Sequence, residues 1–281
     1  MEDAPVRTPP PIFDAQLHPA ALTDDDLRDL AYFGVEGAVA VVGDDVPDRD
    51  PEAVLERFEV LVREELPRLR KAGIAAFGAL GLDPRRLPRR GLEEILARLP
   101  ALFSAARVVA LGPCGLEHGG PLEEAVFRRQ LEAAQEIGRP VIVRTPEREK
   151  LRITRRLLAL LKESGLPPER VLVGAVTPKT IRLVRACGHV AGILVHPARL
   201  RAEDAVALVR RQGAADLVLG SAAGSGASDL LALPRTAMLL ERAGLSPEIV
   251  RRVLRDNALA FFGIDPATVA REVPAGAPPR R

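Results

Sequence analysis

Short apolar runs recur along the chain, at residues 12–15, 38–42, 74–80, 108–111, 141–143, 171–173, 192–195 and 217–219. Most are continuous rather than alternating, the pattern of strands covered on both faces. The stretches between them, such as PEAVLERFEVLVREELPRLRKAG, PLEEAVFRRQLEAAQEIG and TPKTIRLVRACG, place apolar residues every three or four positions, as amphipathic helices do. Boundary signals agree with this division. Thr23 precedes three aspartates, Ser246-Pro247-Glu248 opens a helix, and Gly138 and Gly165 end two others. Eight strand-like runs, each followed by a helix, predict an α/β fold: a single (β/α)8 TIM-type barrel over residues 11–265. A doubly wound open sheet is the competing topology. Residues 1–10 and the Pro/Arg-rich 266–281 are expected to be flexible tails, with the helix ending in LAFFGID closing the domain.

Composition adds few constraints. The 281 residues suit one such barrel, and a formal net charge of +2 indicates neither a nucleic-acid binder nor a basic membrane protein. Arginine outnumbers lysine 36 to 4, so a cluster of arginines is weak evidence of function here. Two cysteines, Cys114 and Cys187, make no disulfide framework. The N-terminus lacks a charged-then-apolar targeting pattern, and no apolar run reaches the roughly 18 residues that span a bilayer. A cytoplasmic protein without membrane insertion is expected. One tyrosine, Tyr32, and no tryptophan leave few platforms for stacking bases, so no nucleic-acid partner is expected.

In such barrels chemistry sits where strands end and the following loops begin. Those positions hold Asp14, Gln16 and His18; Gly43-Asp44-Asp45; Gly81-Leu82-Asp83; and the run from Gly112 through Pro113, Cys114 and Glu117 to His118. Later strands supply Arg144-Thr145, Gly174-Ala175, His196-Pro197 and the glycine-rich GSAAGSGASD after Leu219.

Across nearly its whole length the chain resembles the TatD-related metal-dependent hydrolases of the amidohydrolase superfamily, and within them the EboC-like branch. The stretches that carry the resemblance are DAQLH, ALGPCGLE, FRRQLEAAQEIGRPVIVRTPEREK, LLKESGLPPERVLVGAVTPKTIRLV, GSAAGSGASDLLALPRTA and VRRVLRDNALAFFG. The resemblance implies a divalent-metal site, yet the match fails at the ligands. The superfamily's first strand ends Asp-x-His-x-His; here Gln16 replaces the first histidine and His18 remains. Pro113 stands for the family's glutamate, with Glu117 for a nearby aspartate. Arg144 and Ala175 replace two further histidines, and Gly224 corresponds to the acidic residue after the eighth strand.

The chemistry of these substitutions matters more than their number. Gln16 retains one weak oxygen donor, but Pro113, Ala175 and Gly224 have none. Arg144 keeps its charge and cannot ligate. At ~4 Å and an effective dielectric of ~20, a guanidinium beside a divalent ion costs roughly 8 kcal/mol, comparable with much of a metal's binding free energy. That cost requires Arg144 to point inward.

The resulting expectation is a catalytically degenerate homologue, a pseudoenzyme acting as a binding or partner protein and needing no cofactor. EboC-like relatives sit beside genes for secondary-metabolite precursor handling, which implies a small anionic ligand or a protein partner from that context. Arg144, Arg199 and Arg201, with Ser221, Ser225, Ser228 and the exposed N–H groups of a glycine-rich loop before a helix near Ser228-Asp229, are the candidate anion binders. The competing reading is an active hydrolase in which His18, Glu117, His118 and His196 hold zinc, manganese or iron, with Asp14 positioning the strand end or assisting proton transfer. Cys114 beside His118 is a further nucleophile candidate, though no oriented base is evident. Asp24, Asp25 and Asp26 are accounted for by a helix start, and His189 lies on the opposite, stability face.

Overall fold

The structure of the chain, a computed structural model, describes residues 9–43, 50–88, 90–104 and 107–273. All eight apolar runs are strands: β1 (Ile12–Leu17), β2 (Val35–Val41), β3 (Ala75–Leu80), β4 (Val108–Gly115), β5 (Val141–Arg144), β6 (Val171–Gly174), β7 (Val190–Leu194) and β8 (Leu217–Gly220). They form one sheet in sequential order with parallel pairing throughout, which excludes the doubly wound alternative. Backbone bonds from beyond β8 complete the closure: Ala222 N–H donates to Gln16 C=O at 2.9 Å, and His18 N–H to Ala223 C=O at 2.8 Å. The chain is a TIM-type barrel.

The helices are α1 (Asp24–Tyr32), α2 (Pro51–Val60), α3 (Leu66–Lys71), α4 (Leu92–Phe103), α5 (Pro121–Ile137), α6 (Lys150–Ser164), α7 (Ile181–Ala186), α8 (Ala202–Gln212), α9 (Ala232–Arg242), α10 (Pro247–Arg251), α11 (Asn257–Phe262) and α12 (Pro266–Glu272). A capping box joins Thr23 and Asp26 at the start of α1, so the acidic triplet serves the helix terminus. Between α2 and α3 the helix widens to π geometry over Leu61–Glu65. Pro67, which has no N–H to donate, follows closely.

Two clusters divide the core. One lies between sheet and helices; the other fills the barrel, with Phe13, Val39, Phe77, Val109, Ile142 and Val218 meeting Phe262, Ile264 and Val269. The last contact corrects the expected C-terminal tail. Residues 266–272 form α12, whose fully buried Val269 joins the barrel interior, while Glu272 pairs with Arg107. Its start carries the usual chemistry of a helix N-terminus. Pro266 takes the first position, and the Asp265 side chain caps the turn by accepting from Ala267 N–H at 2.9 Å. Residues 1–8 and 274–281 of the expected tails lie outside the described residues, as do Asp44 and Asp45. No helix among the described residues is long and apolar enough to cross a membrane.

Candidate functional site

A register shift between Asp14 and Leu17 re-aims the end of β1. Phe13 and Ala15, on one face of the strand, belong to the barrel interior. Gln16 and His18 line a cavity at the mouth, while Leu17 joins the outer core. Gln16 Nε2 and His18 Nε2 lie 3.3 Å apart, so the side chains of the two alternate positions at this strand end address each other. Close by, Asp14 is buried. Its Oδ1 accepts from Ser221 N–H at 2.9 Å and from Gln16 N–H at 3.0 Å, and its Oδ2 accepts from the Ser221 hydroxyl. Burial pushes the Asp14 carboxyl up to about 6, against the opposing effect of those hydrogen bonds.

The cavity is narrow, about 20 Å³, with room for about one water molecule inside its open mouth. Its wall includes Gln16, His18, Asp83, Pro113 and three arginines, Arg57, Arg86 and Arg144. Arg144 points inward from the end of β5 with its side chain only 7% exposed. Three carboxylates surround its guanidinium at ion-pair distance: Glu147 at 3.6 Å, Glu117 at 3.7 Å and Asp83 at 3.9 Å. None is at hydrogen-bond distance, and Arg144 Nε and Glu117 Oε2 are buried without a hydrogen-bond partner. Burial lowers the pKa of Arg144. For Asp83 burial works upward, but hydrogen bonds from Arg85 and the charges of Arg144 and Arg85 outweigh it and hold the carboxyl below its usual range.

A second cationic group adjoins this one. Arg199, from the loop after β7, approaches Glu147 Oε1 at 3.3 Å, the same oxygen that faces Arg144. Lys150, the first residue of α6, donates to Pro146 C=O at 2.8 Å; burial and the charges of Arg199 and Arg144 push it down to about 8. Sequence reasoning did not single out Arg57, Arg85, Arg86, Glu147 or Lys150. Glu147 and Lys150 sit in RTPEREK directly after Arg144, but abundant arginine and glutamate along the chain hide such a cluster.

Several expectations need correction. Within the glycine-rich loop three amides are taken up locally: Ala223 N–H donates to Ser221 Oγ, Gly224 N–H to Ser228 Oγ and Ser225 N–H to Ala222 C=O. Local turn bonds satisfy these donors first. The helix expected near Ser228-Asp229 begins at Ala232, after Asp229 Oδ1 accepts from Leu231 N–H. At Gly224, the position matched to the acidic residue after the eighth strand, this chain has no room for a side chain. The Gly224 φ is +86°, and a Cβ there would stand 2.0 Å from the carbonyl oxygen of His18.

The four residues of the alternative metal set are not brought together either. His196 has both ring nitrogens on backbone, Nε2 with Ser225 C=O at 3.0 Å and Nδ1 accepting from Ala198 N–H at 3.1 Å. His118 is exposed; its N–H, with those of Glu117 and Gly119, is held by the Glu123 carboxylate. Among the described residues no group of three or more His, Cys, Asp or Glu side chains is placed to hold a metal ion. Cys114 is fully buried, with Sγ 3.6 Å from Ile142 C=O, and burial raises its thiol pKa, the opposite of nucleophile activation. His189 contacts Pro168 C=O just before β7, away from the mouth.

Comparison with known proteins agrees with this architecture. The chain is 27% identical over 252 residues to a metal-dependent hydrolase of Methanocaldococcus jannaschii, covering 89% of this chain and 99% of that protein. The crystal structure of a TatD-like protein from Archaeoglobus fulgidus superposes with a TM-score of 0.77 at 26% identity, covering 90% of this chain and 100% of the other. The phosphotriesterase homology protein of Escherichia coli shares the fold, with a TM-score of 0.67 at 18% identity, covering 91% of this chain and 100% of that one. Residues 14–219 match the family model described as TatD related DNase, and the chain belongs to this family of metal-dependent hydrolases within the amidohydrolase superfamily.

Proposed function

We propose that this TatD-family barrel is catalytically degenerate and binds a small anionic ligand at its mouth. One observation carries the reading: the cavity at the family's site is lined by three guanidinium groups and one carboxylate, with Arg144 turned inward. A guanidinium in that place favours an oxyanion and opposes a divalent cation by several kcal/mol, on the order of 8 at close range. The donor set does not suit a metal. Pro113 and Ala175 have no donor atom, Gly224 has no room for one, and His196 is engaged at both nitrogens. No catalytic step is therefore assigned to a metal.

Membership of the EboC-like branch belongs to the same reading, with a cytoplasmic role beside enzymes or carriers of secondary-metabolite precursors. Nuclease action does not, because among the described residues lining the cavity there is no tyrosine or tryptophan and the one phenylalanine, Phe58, is buried.

The test combines metal analysis with ligand-dependent stability. Protein purified without chelator is expected to hold far less than one zinc, manganese or iron per chain, and inorganic phosphate is expected to raise its Tm. Arg144→Gln should remove that phosphate response. Stoichiometric metal that is lost on His18→Ala, together with metal-dependent hydrolysis of a phosphoester or lactone, overturns the proposal.

A further inference from the structure

Within that anion-binding reading, on which this inference rests, we propose that Arg144 and Arg199 form an oxyanion subsite for a terminal phosphate. In the resting protein Glu147 occupies it as an exchangeable internal anion. The two guanidinium groups come from different strand ends, β5 and the loop after β7, yet converge on Glu147 Oε1 at 3.6 and 3.3 Å. Their exposures differ sharply from that of their partner. Arg144 and Arg199 are 7% and 14% exposed, whereas the Glu147 side chain is 59% exposed.

That asymmetry determines which group leaves. An exposed carboxylate returns to water at little cost, since ion pairs made by such groups are weak. Buried guanidinium groups have no such escape, and stripping them of a counter-charge is costly. The anion is therefore the replaceable member. A free oxyanion entering from the mouth takes the place of Glu147, which swings into solvent on its short loop.

The surroundings favour a doubly charged group over a carboxylate. Lys150 stands at the first position of α6, a helix of 15 residues with no acidic side chain in its first turn and no side-chain cap at Glu149. The helix dipole adds positive potential beside Lys150 and the two arginines. Glu117 and Asp83 approach Nε and Nη1 of Arg144 and limit the excess charge there, so the subsite lies at Nη2, the nitrogen that faces Glu147.

Calorimetric titration of the full chain with inorganic phosphate, and separately with acetate, tests the assignment in wild type, Glu147→Gln and the Glu147→Gln/Arg199→Gln double variant at pH 7. Glu147→Gln should bind phosphate at least tenfold more tightly than wild type and prefer it to acetate. The double variant should lose the gain, and Arg199→Lys in place of Arg199→Gln should retain part of it, which guards against a mere folding defect. If wild type and Glu147→Gln bind phosphate equally, Glu147 is not the internal anion and this inference fails, while anion binding in the cavity stands. If acetate binds as well as phosphate, the phosphate assignment is wrong. Phosphate binding to neither protein overturns both this inference and the reading beneath it.

Discussion

Asp14 and Ser221 fasten the first strand to the last. A single carboxylate accepts both the backbone N–H and the hydroxyl of Ser221, at the seam where the barrel closes. Because Asp14 is buried, its neutral form is favoured and its pKa is pushed up to about 6. The folded chain then binds this proton more tightly than the unfolded chain.

The Asp14 contribution to stability is consequently greatest at low pH and is lost as pH rises from about 4 through about 6, a change of about 3 kcal/mol. Asp14→Asn keeps the shape and removes the charge. It should flatten that part of the pH dependence and leave Tm at pH 7 to 8 equal to or above that of wild type. Urea unfolding across pH 4 to 8 checks this, and parallel profiles for the two proteins would refute it.

Arg144 sits among three carboxylates; removing it takes from Glu117 the cation it faces and leaves Asp83 to Arg85. Arg144→Leu should cost about 3 kcal/mol at pH 7, the usual consequence of breaking a buried pair from one side. Asp83, held below the ordinary carboxylate range in the wild type, then loses a stabilising cation. Its share of stability is present above its unfolded pKa and disappears as pH falls through its folded one, so the penalty of the substitution should shrink towards low pH. A penalty independent of pH would show that Arg144 contributes by packing alone.

Backbone conformation at the eighth loop gives two substitutions of very different cost. Gly224→Ala places a methyl group 2.0 Å from His18 C=O at φ +86° and should destabilise by about 3 kcal/mol or more. Ala222, nearby, already adopts φ +50° with a side chain. Ala222→Gly should be near neutral, within about 1 kcal/mol, because relief of the left-handed backbone offsets the added chain entropy and the loss of a buried methyl group. Thermal unfolding of the two variants measures both costs, and equal losses of Tm would refute the contrast.

The C-terminal helix supplies the fourth prediction. A chain ending after Asp265 loses Val269 from the barrel interior and Glu272 from Arg107. It should unfold at a Tm at least several degrees lower, and Val269→Asp in the full chain should reproduce most of the loss by burying an unpaired carboxylate. A truncated chain as stable as the full one would return residues 266–272 to the role of a tail.

The fold was legible in the sequence because continuous apolar runs and 3.6-residue periodicity are local, and a parallel sheet with crossover helices needs both. Thr23, Ser246, Gly138 and Gly165 marked helix ends for the same reason: each acts on backbone groups within one turn. α12 escaped this reading. Its seven residues carry a single inward anchor, Val269, too weak a pattern to separate from a polar tail.

At the site, the sequence by itself determined which atoms are available. Pro113, Ala175 and Arg144 cannot be metal donors wherever they are placed, because side-chain chemistry does not depend on the fold. Only the tertiary structure decided what those atoms meet. It engaged both nitrogens of His196, tied two amides of the glycine loop to its own serines, and gathered Arg144, Arg199 and Lys150 around Glu147 from separate strand ends. Charge and hydrogen-bond pairing act through space over a few ångströms, and closure of the barrel sets those distances between residues far apart along the chain.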